Sequence, residues 1–159
     1  MHPAAAQGSG RAGQIVGAPG SVALPVIEDI TFRGGVADDD VGGALSILDT
    51  AAEFRRCSFR GNAATYGGLG GSGGAVAITA DADVSFVDCE FVNNRAVWGG
   101  AIYTEQGTNL TIVSSQLLVR LDVGYLVSAA SRCRCFVSGL TCADLQERGV
   151  WVYWWPARG

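Results

Sequence analysis

Lysine is absent from this chain, and histidine occurs once, as His2. That one imidazole lies in an N-terminal stretch rich in Gly, Ala and Pro. A Ser-His-Asp triad, a Cys-His pair and an H-E-x-x-H zinc helix therefore all lack a necessary member. Charged residues make up only 16% of the 159, with a net charge of −4, so no basic field is present to hold nucleic acid. No run of 18 apolar residues occurs, so no segment reads as a transmembrane helix. Residues 1–20 lack the unbroken apolar centre of a signal peptide and read as a flexible arm. With 11 Arg and no Lys, the cation choice reads as a coding bias rather than a mechanism.

Glycine and apolar residues are abundant. The 23 Gly lack a G-x-y triplet, which excludes collagen and favours many tight turns, and the 48% apolar content suffices for one folded core. Two short motifs recur in fixed order. Phe32, Phe59 and Phe91 begin the elements FRGG, FRGN and FVNN, in which Asn62 and Asn94 close the second and third. Gly42-Gly43, Gly73-Gly74 and Gly99-Gly100 each precede Ala and a short apolar run. From Gly42 to Phe59, Gly73 to Phe91 and Gly99 to Leu117 the spacing is nearly constant, whereas Phe32 to Gly42, Phe59 to Gly73 and Phe91 to Gly99 vary. A constant half implies stacked strands in register, and a variable half implies surface loops that lengthen without disturbing the stack.

Within the constant half, apolar residues pair at a spacing of two: Ala52 with Phe54, Val84 with Phe86, Leu110 with Ile112. A second set follows: Cys57 with Phe59, Cys89 with Phe91, and Ser115 with Leu117. Between the sets the phase slips at a corner. Each repeat thus predicts three short strands, each stacked parallel on its equivalents. The expected fold is all-β, a right-handed single-stranded parallel β-helix of about three to four coils over residues 23–128. Residues 1–22 are expected as the arm. Residues 129–159 are expected as a short, partly helical C-terminal cap or a disordered tail, with one or two helical turns between Thr141 and Gly149 and WVYWWP as a lid over the last coil.

The paired Phe-x-x-Asn and Gly-Gly-Ala-Ile/Val/Leu motifs resemble the repeats of the chlamydial polymorphic outer membrane proteins, within the right-handed parallel β-helix, pectin-lyase-like group. The resemblance spans Val26 to Leu117 and is carried most clearly by SFRGNAATYGGLGGSGGAVAI and EFVNNRAVWGGAIYT. It implies display at a cell surface or outside the cell. No cofactor is expected. Pectinolytic relatives act through clustered Asp, Arg or Lys on one sheet. No such ladder is legible here, so no catalytic residue carries over.

The variable loops VADDDV, AATYGGLGGS and RAVW leave from one edge. They are expected to bring Asp38, Asp39, Asp40, Tyr66, Arg95 and Trp98 near one another as a ligand-contact surface. Carboxylates beside exposed aromatic rings suit a sugar or a host or cell-surface protein, and a solvated acidic turn accounts for the same residues. Three adjacent Asp on a loop do not make a calcium cage or a glycosidase pair, so no metal site is expected. Cys57 and Cys89 fall at the same rung and read as buried thiols acting as small apolar filler. Asn109-Leu110-Thr111 is an N-glycosylation sequon. The expected function is a non-enzymatic adhesive or structural scaffold. A carbohydrate-binding or polysaccharide-processing protein is the alternative, and a fragment of a longer β-helix protein is a third reading. An uncapped end implies end-to-end self-association.

Overall fold

The apolar pairs at a spacing of two become strands too short to fold alone, each requiring an equivalent strand beside it. A computed structural model describes residues 13–17, 24–38, 40–65, 71–105 and 107–118, together with three later strands. The fold is all-β, with every strand pairing parallel and no helix among the described residues. The first sheet has six strands in the order β1 (Gly13–Val16), β5 (Leu45–Leu48), β9 (Val76–Thr79), β12 (Ile102–Thr104), β15 (Val127–Ala129) and β17 (Val152–Trp154). The second runs β2 (Val26–Glu28), β6 (Ala51–Arg55), β10 (Asp83–Val87), β13 (Asn109–Val113) and β16 (Cys133–Phe136). The third runs β3 (Thr31–Arg33), β7 (Ser58–Arg60), β11 (Glu90–Val92) and β14 (Gln116–Leu118). A fourth pairs β4 (Val36–Asp38) with β8 (Ala63–Thr65). The chain visits these sheets in turn and then returns to the first.

The register follows the sequence motifs. Phe32 aligns with Phe59, Phe59 with Phe91, and Phe91 with Leu117. In the second sheet Phe54 aligns with Phe86, and Phe86 with Ile112. Phe54, Phe59, Phe86 and Phe91 are all 0% exposed. Their rings form two columns. Phe32 and Phe91 stack on either side of Phe59, with centroids 4.9 and 4.7 Å away, while Phe54 stacks on Phe86 at 5.1 Å. The columns meet edge to face, as Phe86 does with Phe91 at 5.2 Å and 80°. Ring spacing within a column matches the spacing of hydrogen-bonded strands, so one lattice satisfies both backbone and core. Each ring buried this way contributes about 1.5–3 kcal/mol.

The phase slip between apolar pairs has a local cause. Asp29, Arg56, Asp88 and Ser114, one at each equivalent corner, adopt φ of 56°, 50°, 53° and 49°. A single left-handed residue turns the strand direction while leaving both neighbouring apolar pairs inside. Gly73 has φ of +69°, and a Cβ on Gly74 would sit 2.0 Å from the Gly100 carbonyl oxygen. The Gly-Gly pair therefore permits a left-handed bend followed by a backbone approach that no side chain allows.

The asparagines join the repeats. The Gly35 N–H donates to Asn62 Oδ1 at 3.0 Å, and Asn62 Nδ2 donates to the Phe32 carbonyl at 3.1 Å. One repeat on, Asn62 N–H and Nδ2 both donate to Asn94 Oδ1 at 3.0 Å, and Asn94 Nδ2 donates to the Phe59 carbonyl at 2.9 Å. Gly35, which stands where the motif elsewhere has Asn, supplies only a donor to this ladder.

Three differences from the sequence reading concern strands. Gly13–Val16, expected within the flexible arm, forms β1, paired with β5 and with Ile15 packed against the core. Val36–Asp38 and Ala63–Thr65, expected as the start of free loops, form the fourth sheet. Small residues explain this: Ala37, Ala64 and Ala96 make a separate buried cluster, giving these short segments an apolar contact of their own. Beyond Leu117, where the motifs end, strands continue the lattice. β15 pairs with β12, β16 with β13, and β17 with β15. Backbone groups alone make such a ladder, so it does not require Phe-x-x-Asn. The helical turns expected at residues 141–149 lie outside the described residues. No helix among the described residues is long and apolar enough to cross a membrane.

Replacing Asn94 by Ala leaves both Asn62 donors and the Phe59 carbonyl without that buried partner. Asn94→Ala is expected to cost about 2–4 kcal/mol in urea unfolding, whereas Ser85→Ala on the outward face stays within about 0.5 kcal/mol.

Candidate functional site

The loop edge is built on the fourth sheet. Asp38 ends β4 and aligns with Thr65, whose hydroxyl donates to Asp38 Oδ1 at 2.8 Å. Arg95 forms a parallel bridge with Ala63: its N–H donates to the Asn62 carbonyl at 2.9 Å, and its carbonyl accepts from the Ala64 N–H at 3.0 Å. Arg95 thus belongs to the column of Val36 and Ala63, two residues before the Asp38–Thr65 pair. Trp98 bridges to Ser72. Its N–H donates to the Gly71 carbonyl, and its carbonyl accepts from the Gly73 N–H at 2.8 Å.

The structure therefore joins Asp38 to Thr65 and seats Arg95 and Trp98 at separate columns of the same edge. Asp40 Oδ1 accepts from the Val41 N–H at 2.8 Å and closes its own turn. Asp39 and Tyr66 lie outside the described residues. Trp98 is 46% exposed and its neighbour Val97 45%, so the third loop carries adjoining apolar surface on a backbone pinned at both ends.

Spacing alone did not reveal a ribbon of opposite charges along the second and third sheets. Arg56 grips Asp29 through two bonds of 2.8 and 3.0 Å and lies 3.4 Å from Glu28. Arg55 pairs with Glu53 and Glu28, and Arg60 with Glu90. The sequence signal is opposite charge at positions that become neighbours only once register is known, such as Glu28 with Arg55. The Arg56 hydrogen bond holds the Asp29 carboxyl below its ordinary 3.8 and raises the guanidinium. These groups are exposed, so the pairs contribute little and are screened by salt.

The two central cysteines are buried and unbridged. They do more than fill space. Cys57 Sγ reaches the Ile27 carbonyl at 3.5 Å, and Cys89 Sγ the Phe54 carbonyl at 3.4 Å. Ser115, at the same position one repeat on, directs its hydroxyl to the Phe86 carbonyl at 3.4 Å and accepts from the Cys89 N–H at 3.0 Å. Thiol and hydroxyl occupy one niche, each between a carbonyl of the preceding repeat and the carbonyl two residues back in its own: Arg55 for Cys57, Val87 for Cys89 and Val113 for Ser115, the last at 3.0 Å. The neighbouring Cys57 sulfur, with burial second, pushes the Cys89 thiol up, so it stays protonated.

Among the described residues no group of three or more His, Cys, Asp or Glu is placed to hold a metal ion. What the edge can do chemically is offer a fixed carboxylate–hydroxyl pair, a guanidinium and an exposed indole for non-covalent contact.

Two outcomes follow. Cys57→Ser and Cys89→Ser, each copying Ser115, are expected within about 1 kcal/mol of the parent in denaturant unfolding, whereas Cys89→Val, which removes the contacts with the Phe54 and Val87 carbonyls and leaves both on their ladder bonds, costs about 0.5–1.5 kcal/mol. Because the folded Asp29 pKa is depressed, its stabilising contribution is present above its ordinary 3.8 and lost as pH falls through the folded value. The stability gap between the parent and Asp29→Asn, followed by thermal unfolding, should therefore narrow on acidification and also in high salt.

Comparison of the chain with family models, with curated proteins and with solved structures gives no match.

Proposed function

We propose that the chain is a right-handed parallel β-helix module of the polymorphic outer membrane protein repeat kind, acting without catalysis as an adhesive or structural scaffold at a cell surface or outside the cell. The observation that carries the reading is the in-register alignment of the motif residues, Phe59 with Phe91 and Phe91 with Leu117, reinforced by the amide bond from Asn62 to Asn94. A rigid interior commits its polar groups inward and leaves the loop edge to vary in length. That edge presents Asp38, Asp40, Arg95 and Trp98. Trp and Arg are the residue types that most often dominate binding energy at protein surfaces, and an indole face also stacks on sugar rings. The partner class is a glycan or a cell-surface protein.

The test is binding of the full chain to immobilised glycans and to cultured animal cells, beside Trp98→Ala and Arg95→Ala. The reading expects saturable binding that Trp98→Ala weakens about 10-fold or more, in line with the cost of truncating a central aromatic contact, at an unchanged unfolding midpoint. Absence of binding by the parent chain overturns it. Release of unsaturated ends from a polyuronide, seen as rising absorbance, would assign the chain to polysaccharide processing instead.

A further inference from the structure

The chain contains four asparagines, and the structure gives them different fates. Asn62 and Asn94 are buried, with both amide atoms engaged in the inter-repeat ladder. Asn93 is exposed at a left-handed corner, but the residue two positions on is Arg95, which carries no hydroxyl. Asn109 differs from all of these. It opens β13, its side chain is exposed, and Thr111 follows at a spacing of two. In an extended strand that spacing places both side chains on one face. The burial pattern agrees: Leu110 and Ile112 point into the core at 2% and 0% exposure, so Asn109 and Thr111 face outward.

The surroundings leave this amide accessible. On the side of β10, Asn109 aligns with Asp83, which is exposed, and Asp83 with Ala51, both short side chains, while on the other side β16 pairs with β13 from Leu110 onward and aligns Arg134 with Thr111. On the preceding side a tight turn leads into the strand. Thr108 donates through its hydroxyl to the Glu105 carbonyl at 2.7 Å, and Gly107 has φ of +92°. The Asn109 backbone is pinned, its N–H donating to the Ala82 carbonyl at 2.9 Å, while its side chain is exposed at the start of β13.

We propose that Asn109 is an acceptor for an N-linked oligosaccharide, transferred from a lipid-pyrophosphate-linked donor by a transferase that reads Asn-x-Thr. The inference rests on the surface or extracellular reading above, since that donor is met on the route out of the cell. In the transfer, the Asn109 Nδ2 lone pair forms a bond to the anomeric carbon of the first sugar. The bond from that carbon to the pyrophosphate oxygen breaks, and the lipid pyrophosphate leaves with the bonding pair. Nδ2 gives up one proton to the transferase. Thr111 supplies the hydroxyl by which the acceptor is recognised. In the folded chain Asn109 stays on the outward face of β13, so the finished product has room for the glycan without displacing any core residue.

The experiment directs the full chain into the secretory route of a glycosylating eukaryotic host with a heterologous leader, then measures intact mass before and after peptide-N-glycosidase. The expected result is a secreted chain heavier by one oligosaccharide, which the enzyme removes while converting Asn109 to Asp. Asn109→Gln and Thr111→Ala should each abolish the added mass, and Thr111→Ser should retain it. Secretion of a folded but unmodified parent chain overturns the proposal, as does modification that persists in Asn109→Gln. Because the leader supplies entry, this result does not depend on the adhesion assays, and failure of one leaves the other readable.

Discussion

The Asn62–Asn94 amide bond sets the register on which the remaining contacts depend. Asn94 accepts from Asn62 and donates back to Phe59, and Asn62 in turn accepts from Gly35 and donates back to Phe32, so the residues must arrive directly above one another at one strand spacing. In net energy such a bond is modest, about 1 kcal/mol, less than the 1.5–3 kcal/mol of each buried ring. The rings supply the magnitude and the amides the discrimination. A slip of one residue would turn Phe59 and Phe91 towards water and orphan the buried amides together, so slipped pairings lose both terms.

The same lattice assigns duties to side chains that look unrelated in sequence. Cys57, Cys89 and Ser115 share a corner position, each lying between a carbonyl of the preceding repeat (Ile27, Phe54, Phe86) and one of its own (Arg55, Val87, Val113). Asp29, Arg56, Asp88 and Ser114 share the left-handed residue that makes that corner. Outward positions are freer, and there the chain places exposed ion pairs of small energetic weight. Variation in loop length is confined to the edge after the third sheet, where Thr65 meets Asp38 and Trp98 meets Ser72. A lattice built this way can change its loop edge without altering its interior.

Much of the fold was legible because steric rules imposed it. A spacing of two marked the inward faces, the Gly-Gly pairs marked a backbone approach, and Leu117 was recognisable as the stand-in for a fourth Phe. Features that need register to be seen were not legible. The fourth sheet is too short and too rich in Ala to show a period, so Val36–Asp38 and Ala63–Thr65 read as loop. β15 to β17 rest on backbone pairing without the motifs. The corner role of the thiols is invisible until Ser115 is seen making the same bond. At the loop edge, residue types marked Asp38, Arg95 and Trp98, but not Thr65 as the partner of Asp38.

The measurement that most directly tests the account is native-state hydrogen exchange of the full chain, read peptide by peptide with rising denaturant. If the ladder and the ring columns bind the repeats into one unit, the amides of β5 to β8 and β9 to β11 should share a single opening free energy, with the Asn62 and Ala64 N–H groups among the best protected. Exchange of β5 to β8 at a free energy well below that of β9 to β11, or rapid exchange at Asn62, would show that the repeats do not hold one another in register.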